Sequence, residues 1–449
     1  MKVAIIGCTH AGTAAVREIL RQNPDTEVDI YERNNNISFL SCGIALYLNG
    51  RVKRLEDMMY DDAEDLRSEK IRVNLRHDVL KIDRNQKEIL VQNMEDYSIR
   101  REHYDKLVMC TGSAVTLPPI KGINHKRVML CKNYEQAQTL HQVLKPHQRV
   151  ALIGGGYVNA ELAESLSDLG CQVTLYHSHD VILNNYVDVQ LSKMLVEILE
   201  DHGVKVKLNS KVASFTDQKD SLLVTTIHDQ NEEVDVAIVS KGFIPVTNLL
   251  EGQVKMSRNG AILTNEYGQT SDPDIYAAGD ARTVHYNPTD TDSYIPLATN
   301  AIRQGKLVGI NIFGNRWPEI GSQGTSGLQL FGYTLLATTG LTYQRALDAG
   351  LKVKYISYED NYRPEFMPTT EKINSIIVYE QDSLKVLGAQ FFSEHNVSQL
   401  ANTMSLAIQN QNTLKDLAFM DMLFQPYYDR PFNFINLVAQ AGLQQEGLI

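Results

Sequence analysis

The chain is short of several things that would direct a reading elsewhere. It has only five cysteines in 449 residues, at positions 8, 42, 110, 131 and 171. None makes a CxxC pair, which argues against a zinc ribbon or a vicinal dithiol motif. It has a single tryptophan and no apolar run of the roughly 18 residues that a spanning helix requires. It lacks excess positive charge: 43 Lys and Arg face 54 Asp and Glu, for a net charge of −11. Nucleic acid and anionic membrane surfaces reward the opposite sign, so neither is the expected partner. No cleavable leader pattern precedes the first strand-like run, Lys2 to Ile6, and a cytoplasmic location is expected. Low complexity is absent too. At 43% hydrophobic and 22% charged the chain is ordinary globular material, long enough for about three domains.

What is present is one design used twice. Val3-Ala4-Ile5-Ile6 runs through Gly7-Cys8-Thr9-His10-Ala11-Gly12 into a helical segment, Thr13 to Gln22, and on to the strand Val28-Asp29-Ile30-Tyr31, which ends on Glu32. Val150-Ala151-Leu152-Ile153 runs likewise through Gly154-Gly155-Gly156-Tyr157-Val158-Asn159 into a helical segment, Ala160 to Leu169. The strand Val173-Thr174-Leu175-Tyr176 follows and ends on His177. Glycines in the first turn let backbone approach a pyrophosphate, and the helix start offers free N–H groups to it. The residue closing the second strand reaches the adenosine ribose. One such hexapeptide is weak evidence. Two, each with strand, helix and strand in order, point to two dinucleotide sites.

Two shorter elements belong to the first site. Ile275-Tyr276-Ala277-Ala278-Gly279-Asp280 puts a carboxylate at a strand end, where it can hold a ribityl hydroxyl. Val108-Met109-Cys110-Thr111-Gly112-Ser113 is a strand followed by a Thr-Gly turn. The expected architecture is α/β, with two Rossmann-like domains and an α+β C-terminal dimerisation domain. Residues 1–118 and 246–325 would form a flavin domain, interrupted by a nicotinamide domain at 119–245. The Gly-rich stretch 321–327 reads as a linker to 326–449, which carries strand-like runs at Ser375 to Tyr379 and Val386 to Phe391. Its helical patterns lie at Val397 to Gln409 and Leu414 to Met420.

These motifs resemble the flavin-dependent pyridine nucleotide–disulfide reductase superfamily. Gly7 to Thr13, Tyr31-Glu32-Arg33-Asn34 and Ile37-Ser38-Phe39-Leu40-Ser41-Cys42-Gly43 are similar to its single-cysteine branch of NADH oxidases, NADH peroxidases and coenzyme A disulfide reductases. Asp360 to Pro368 and Phe424 to Pro431 look like the water-forming oxidases of lactic acid bacteria. The resemblance implies FAD, NADH or NADPH as electron donor, dioxygen as acceptor, and a homodimer in which the Phe424 to Tyr428 end approaches the partner's flavin. For FAD it implies contacts from Gly7, Thr9, His10, Ala11, Gly12, Glu32, Arg33 and Cys42, and from Cys110, Thr111, Gly112, Ser113, Lys132, Asp280, Ala298 and Thr299. For the nicotinamide nucleotide it implies Ile153, Gly154, Gly155, Gly156, Tyr157, Val158, Asn159, His177, Ser178, His179, Tyr186, Lys241 and Gly242. Lys132 reads equally as a surface lysine on sequence alone.

The reactive centre is expected at Cys42. A dithiol reductase of the superfamily has a second cysteine five positions on, and here that position is Tyr47. The sulfur must then cycle between thiolate and sulfenic acid. Gly43 to Leu48 reads as a helix start, which would favour the thiolate and lower the thiol pKa. The bland alternative is a buried thiol. By resemblance His10 neighbours the sulfur and serves proton transfer or anion stabilisation. A turn histidine is otherwise a local hydrogen-bonding residue. The implied net reaction joins two reduced nicotinamides, two protons and one dioxygen to give two waters. A peroxidase and a coenzyme A disulfide or persulfide reductase share these residues, and a flavoprotein redox sensor is the non-enzymatic alternative.

The two units disagree at the residue that selects the nucleotide. Glu32 closes the first, whereas His177-Ser178-His179 closes the second, with no carboxylate before Asp180. A carboxylate there would repel a 2′-phosphate, while a hydroxyl and two imidazoles can bond one, with charge assistance if protonated. Asn159 replaces the last glycine of the hexapeptide and should crowd helix against strand. NADH oxidases of the branch usually keep Gly and Asp at these two positions, so NADPH is expected to serve at least as well as NADH. Lys241 either reaches the adenosine phosphate or is solvated. Ile244 stands where an arginine is usual, and nothing in the sequence accounts for it.

Overall fold

The computed structural model describes residues 1–449. Two five-stranded parallel sheets share one plan. In the first, the order is Ile275–Ala277, Lys106–Met109, Lys2–Ile6, Glu27–Glu32, Ile71–Leu75. In the second it is Lys205–Lys207, Gln172–Tyr176, Arg149–Ile153, Val236–Val239, Val128–Leu130. In both, the central strand is the one that runs into a glycine turn. That strand is covered on both faces, so it is apolar throughout rather than alternating: Val3, Ile5, Val150, Ala151 and Leu152 have no exposed surface.

The outgoing segment Ser113–Val115 pairs antiparallel with the returning Phe243–Pro245, a two-stranded ribbon that carries the chain into and out of the second sheet. Helix His10–Gln22 follows the first turn and helix Tyr157–Asp168 the second. Helix Ala298–Asn311 packs along His10–Gln22. The approach is tight enough that a Cβ on Gly305 would stand 2.2 Å from the Ala11 carbonyl oxygen.

From Ser326 on, the chain forms a five-stranded antiparallel sheet. Its order is Ser326–Leu330, Thr334–Gly340, Val386–Ser393, Lys372–Glu380, Val353–Asn361. Helices Ser398–Gln409 and Phe434–Gln445 pack on it around Phe391, Met404 and Val438. The Gly-rich stretch ahead of that sheet, 321–325, is irregular, with Ser322 and Gln323 buried. One expectation needs correction. The helix expected over Leu414 to Met420 stops at Ala418, and Asp421 to Pro426 is irregular. No helix is long and apolar enough to cross a membrane.

Candidate active site

In the first unit the turn Gly7 to Gly12 lies against the neighbouring strand. Gly7 has φ +86°, and a Cβ there would stand 2.4 Å from the Cys110 carbonyl oxygen. A Cβ on Gly12 would stand 2.2 Å from the Gly7 carbonyl oxygen. Both positions therefore exclude any side chain. Glu32 is buried and braces the turn: one carboxylate oxygen accepts from Cys8 N at 2.8 Å, the other from Asn34 N at 2.9 Å. Ala11 lies against Gly279, so the Ala-Gly-Asp strand end closes on the same turn. Gly112 and Thr111 are tied by their backbone and hydroxyl to Val246. Ala298 and Thr299 open the helix that faces the first turn. Arg33 stands apart in an ion pair with Asp78.

This cradle fits FAD. It has a turn stripped of side chains for a pyrophosphate, a carboxylate at the ribose position, and a chain of polar groups for the ribityl end. Ser113 Oγ donates to Asp280 at 2.6 Å, and Lys132 Nζ donates to Ser113 Oγ at 3.0 Å. The Lys132 ammonium also lies 3.9 Å from the Phe243 ring centre. Nearby, the Tyr294 hydroxyl is buried beside Ser113.

Cys42, His10, Lys132 and Asp280 form one electrostatic cluster. The Lys132 charge opposes protonation of His10 and favours the Cys42 thiolate. Desolvation holds the His10 imidazole below its usual range and the Lys132 ammonium below its own. The expected depression of the Cys42 thiol is not found. Cys42 lies in a single turn, Ser41–Gly43, ahead of a helix of only five residues, Ile44–Leu48, which offers a small dipole. Its surface opens to solvent, but the protein around it desolvates the sulfur, and the nearby Glu161 carboxylate adds to the effect, so the thiol is pushed up. Cys8, Cys110 and Cys131 are buried, and Cys171 is half-buried.

Two residues of this cluster escaped the sequence reading. Tyr60 lies half-exposed across the cleft; its hydroxyl is 2.9 Å from His10 Nδ1 and the two rings are parallel. No local pattern announces it, because the contact spans fifty positions. Glu161 lies one helical turn beyond Tyr157, a spacing that could have found it. Burial and the Glu164 carboxylate push it up to about 7.

The second unit repeats the first with different chemistry. Gly154 has φ +117° and Gly156 caps the helix. Tyr157 and Tyr186 pack ring on ring, 4.4 Å apart at their centres, and the Tyr157 hydroxyl meets Ser326 of the C-terminal sheet at 3.1 Å. Ile153 ends the strand before this turn, Val158 lies in the first turn of its helix, and Gly242 follows the adjacent paired strand Val236–Val239. Asn159 does not crowd the helix. Its Nδ2 donates to the Gly154 carbonyl at 2.7 Å, the contact that forbids a Cβ in the first unit.

His177 takes the bracing role of Glu32: its Nδ1 accepts from Gly155 N at 3.0 Å, and its ring lies directly on Gly155. Burial, with His179 and Lys241 nearby, holds its pKa down to about 4. The expected charge assistance from this imidazole is therefore absent at neutral pH, because a buried ring accepting from backbone stays uncharged. Ser178 and the exposed His179 remain at the surface of the site.

Two Rossmann-type units, one fitted to a flavin and one to a nicotinamide nucleotide, together with an exposed cysteine that has no disulfide mate, define a flavin-dependent pyridine nucleotide oxidoreductase. The chain belongs to the pyridine nucleotide-disulphide oxidoreductase family, which it matches over residues 1–305, with that family's dimerisation domain over 328–433. It is 48% identical to an NADH oxidase of Enterococcus faecalis, over 99% of this chain and 100% of that one. A water-forming NADH oxidase from Lactobacillus brevis, solved bound to NADH, superposes with a TM-score of 0.98 at 46% identity, covering 100% of this chain and 99% of that one. An engineered form of it, a water-forming NADPH oxidase solved bound to NADPH, also gives 0.98 at 46% identity, with the same coverage. It carries five substitutions, at its positions 159, 177, 178, 179 and 184. Coenzyme A disulfide reductase of Staphylococcus aureus is more distant, at 25% identity over 98% of this chain and 99% of that one.

Proposed function

We propose that this chain is a cytoplasmic, homodimeric NAD(P)H oxidase that reduces dioxygen by four electrons to two waters. Residues 1–118 with 246–325 hold FAD, and 119–245 hold the nicotinamide nucleotide. The observation that carries the reading is a lone accessible thiol, with Tyr47 where a disulfide mate would stand, under the charge of Lys132, which also acts on His10 of the flavin cradle. Bound FAD would exchange electron pairs with the nicotinamide and be the place where dioxygen is reduced.

The chain's own residues do the rest. The Cys42 thiolate attacks one oxygen of a peroxide; the O–O bond breaks, sulfur becomes sulfenic acid, and the other oxygen leaves as hydroxide, which takes a proton to become water. A second electron pair from nicotinamide returns the sulfur to thiolate and releases the other water. His10 Nδ1 is held by Tyr60, so the ring is fixed in place to move the proton. Lys132 is the counter-charge that opposes burial at the sulfur. Glu161 opposes the thiolate only while ionised, so its raised pKa relieves that repulsion below about pH 7.

NADPH serves at least as well as NADH. Support comes from the missing carboxylate at His177 and from the Lactobacillus brevis oxidase, whose engineered NADPH form is altered at positions 159, 177, 178, 179 and 184. In this chain those numbers fall on Asn159, His177, Ser178, His179 and Asn184.

The test is oxygen uptake with each nucleotide, with and without catalase, on wild type and Cys42→Ser. Wild type should consume two nicotinamides per dioxygen and show no catalase effect. The variant should keep oxidising nicotinamide but release peroxide, so that catalase returns oxygen. Equal water yield from both proteins would remove Cys42 from the mechanism. A hundredfold higher kcat/KM for NADH than for NADPH would refute the nucleotide assignment.

A further inference from the structure

Beside the second glycine turn lies a cavity of about 380 Å³, bounded among others by Gly154, Ser178, Ser210, Lys211, Ile227 and Lys241. Its lining holds two ammonium groups and no carboxylate. Neither lysine enters an ion pair, whereas the neighbouring Lys207 is held by Glu232 at 2.6 Å. Two lysines that reach one concavity from two sides, with no carboxylate in its lining, make a positive surface suited to an anion.

Backbone places Lys211 there. The turn after the strand Lys205–Lys207 is stitched to the loop that closes the second nucleotide unit. His177 N donates to the Lys207 carbonyl at 2.9 Å, Ser210 N to the His177 carbonyl at 2.7 Å, and Asn209 N to the His179 carbonyl at 3.0 Å. Lys211 is thus brought to the same cavity wall as Ser178 whatever its side chain does. Lys241 arrives from the other side, its stem beside Gly154, where a Cβ would stand 3.5 Å from its Cγ. His177 adds no charge, being buried and committed to Gly155 N. The positive charge at the ribose end of this site therefore comes from the two lysines.

We infer that Lys211 and Lys241, with the Ser178 hydroxyl, form a subsite for the 2′-phosphomonoester of NADPH, and that Lys211 is a specificity-determining residue. This rests on the dual-nucleotide reading above. The ammonium groups bind the phosphate as point charges and the serine donates one hydrogen bond.

The experiment is calorimetric titration of the FAD-loaded enzyme with 2′-phospho-ADP-ribose and with ADP-ribose, at low and high salt, on wild type, Lys211→Gln and Lys211→Arg. Wild type should bind the phosphorylated ligand at least as tightly as the other, and more so at low salt. Lys211→Gln should lower the ratio of the two affinities roughly tenfold, and Lys211→Arg should restore it. Both lysines are exposed, so folding is not at stake; a melting curve checks it. If wild type prefers ADP-ribose a hundredfold, both the subsite and the NADPH reading fall. If wild type accepts the phosphorylated ligand and Lys211→Gln leaves the ratio unchanged, the subsite alone is overturned.

Discussion

Glu161 shows how a single side chain can link the site to the stability of the fold. Its carboxyl is raised to about 7 by burial and by Glu164. In the unfolded chain it titrates near the ordinary glutamate value, so between roughly pH 4.5 and 7 the folded state binds the extra proton. Stability from this group is therefore full at the acid end of that window and falls as pH rises through it. Glu161→Gln should be more resistant to denaturant than wild type at pH 8 and indistinguishable from it at pH 4.5, other groups being common to both. Parallel stability–pH curves for the two proteins would mean that the folded carboxyl titrates normally. At this scale much was legible: Cys42, His10, Glu32 and Asp280 sit inside motifs. Tyr60 and Lys211 were not, because each reaches its partner through the fold rather than through sequence spacing.

At the scale of the element, the two glycine turns run the same backbone with different side-chain solutions. Gly12 leaves its turn closed, whereas Asn159 turns the equivalent contact into a hydrogen bond to the Gly154 carbonyl. Gly12→Ala would push a methyl group to 2.2 Å from the Gly7 carbonyl oxygen. Helix His10–Gln22 must then shift, an overpacking cost of about 1–3 kcal/mol. The purified variant should carry substoichiometric flavin, read from the ratio of visible to protein absorbance; full flavin content would show that the turn can open. Strand and helix starts were legible here because the apolar runs and glycines are local signals. The short helix after Cys42 is written locally too: Ile44–Leu48 ends at Asn49-Gly50, where Gly50 has φ +76°, the left-handed stop that glycine allows.

At the scale of the whole molecule, the nucleotide unit and the C-terminal sheet are joined by a buried polar latch. Asp188, at the start of helix Val189–Asp201, accepts from Tyr343 N at 2.9 Å and from Gln390 Nε2 at 2.6 Å, while its own N–H donates to Gln390 Oε1 at 2.7 Å. Asp188→Ala leaves the buried Gln390 amide without its acceptor, at about 1–3 kcal/mol, and frees the half-buried Tyr343 N–H as well. Its unfolding midpoint in denaturant should fall accordingly, and an unchanged midpoint would mean that the two bodies are held by apolar contacts alone.

The amino-acid order by itself determined the duplicated strand–turn–helix–strand units, the place of the flavin cradle and the solitary cysteine, because each is written in contiguous residues whose spacing fixes a face or a turn. Only the tertiary structure decided that His177 looks inward and stays neutral, that Asn159 is accommodated rather than crowded, that Lys132 and Glu161 bear on Cys42, and that Tyr60 holds His10. The physical reason is that charge state and hydrogen-bond partner depend on desolvation and on groups delivered by distant segments. Neither is encoded in the neighbours along the chain.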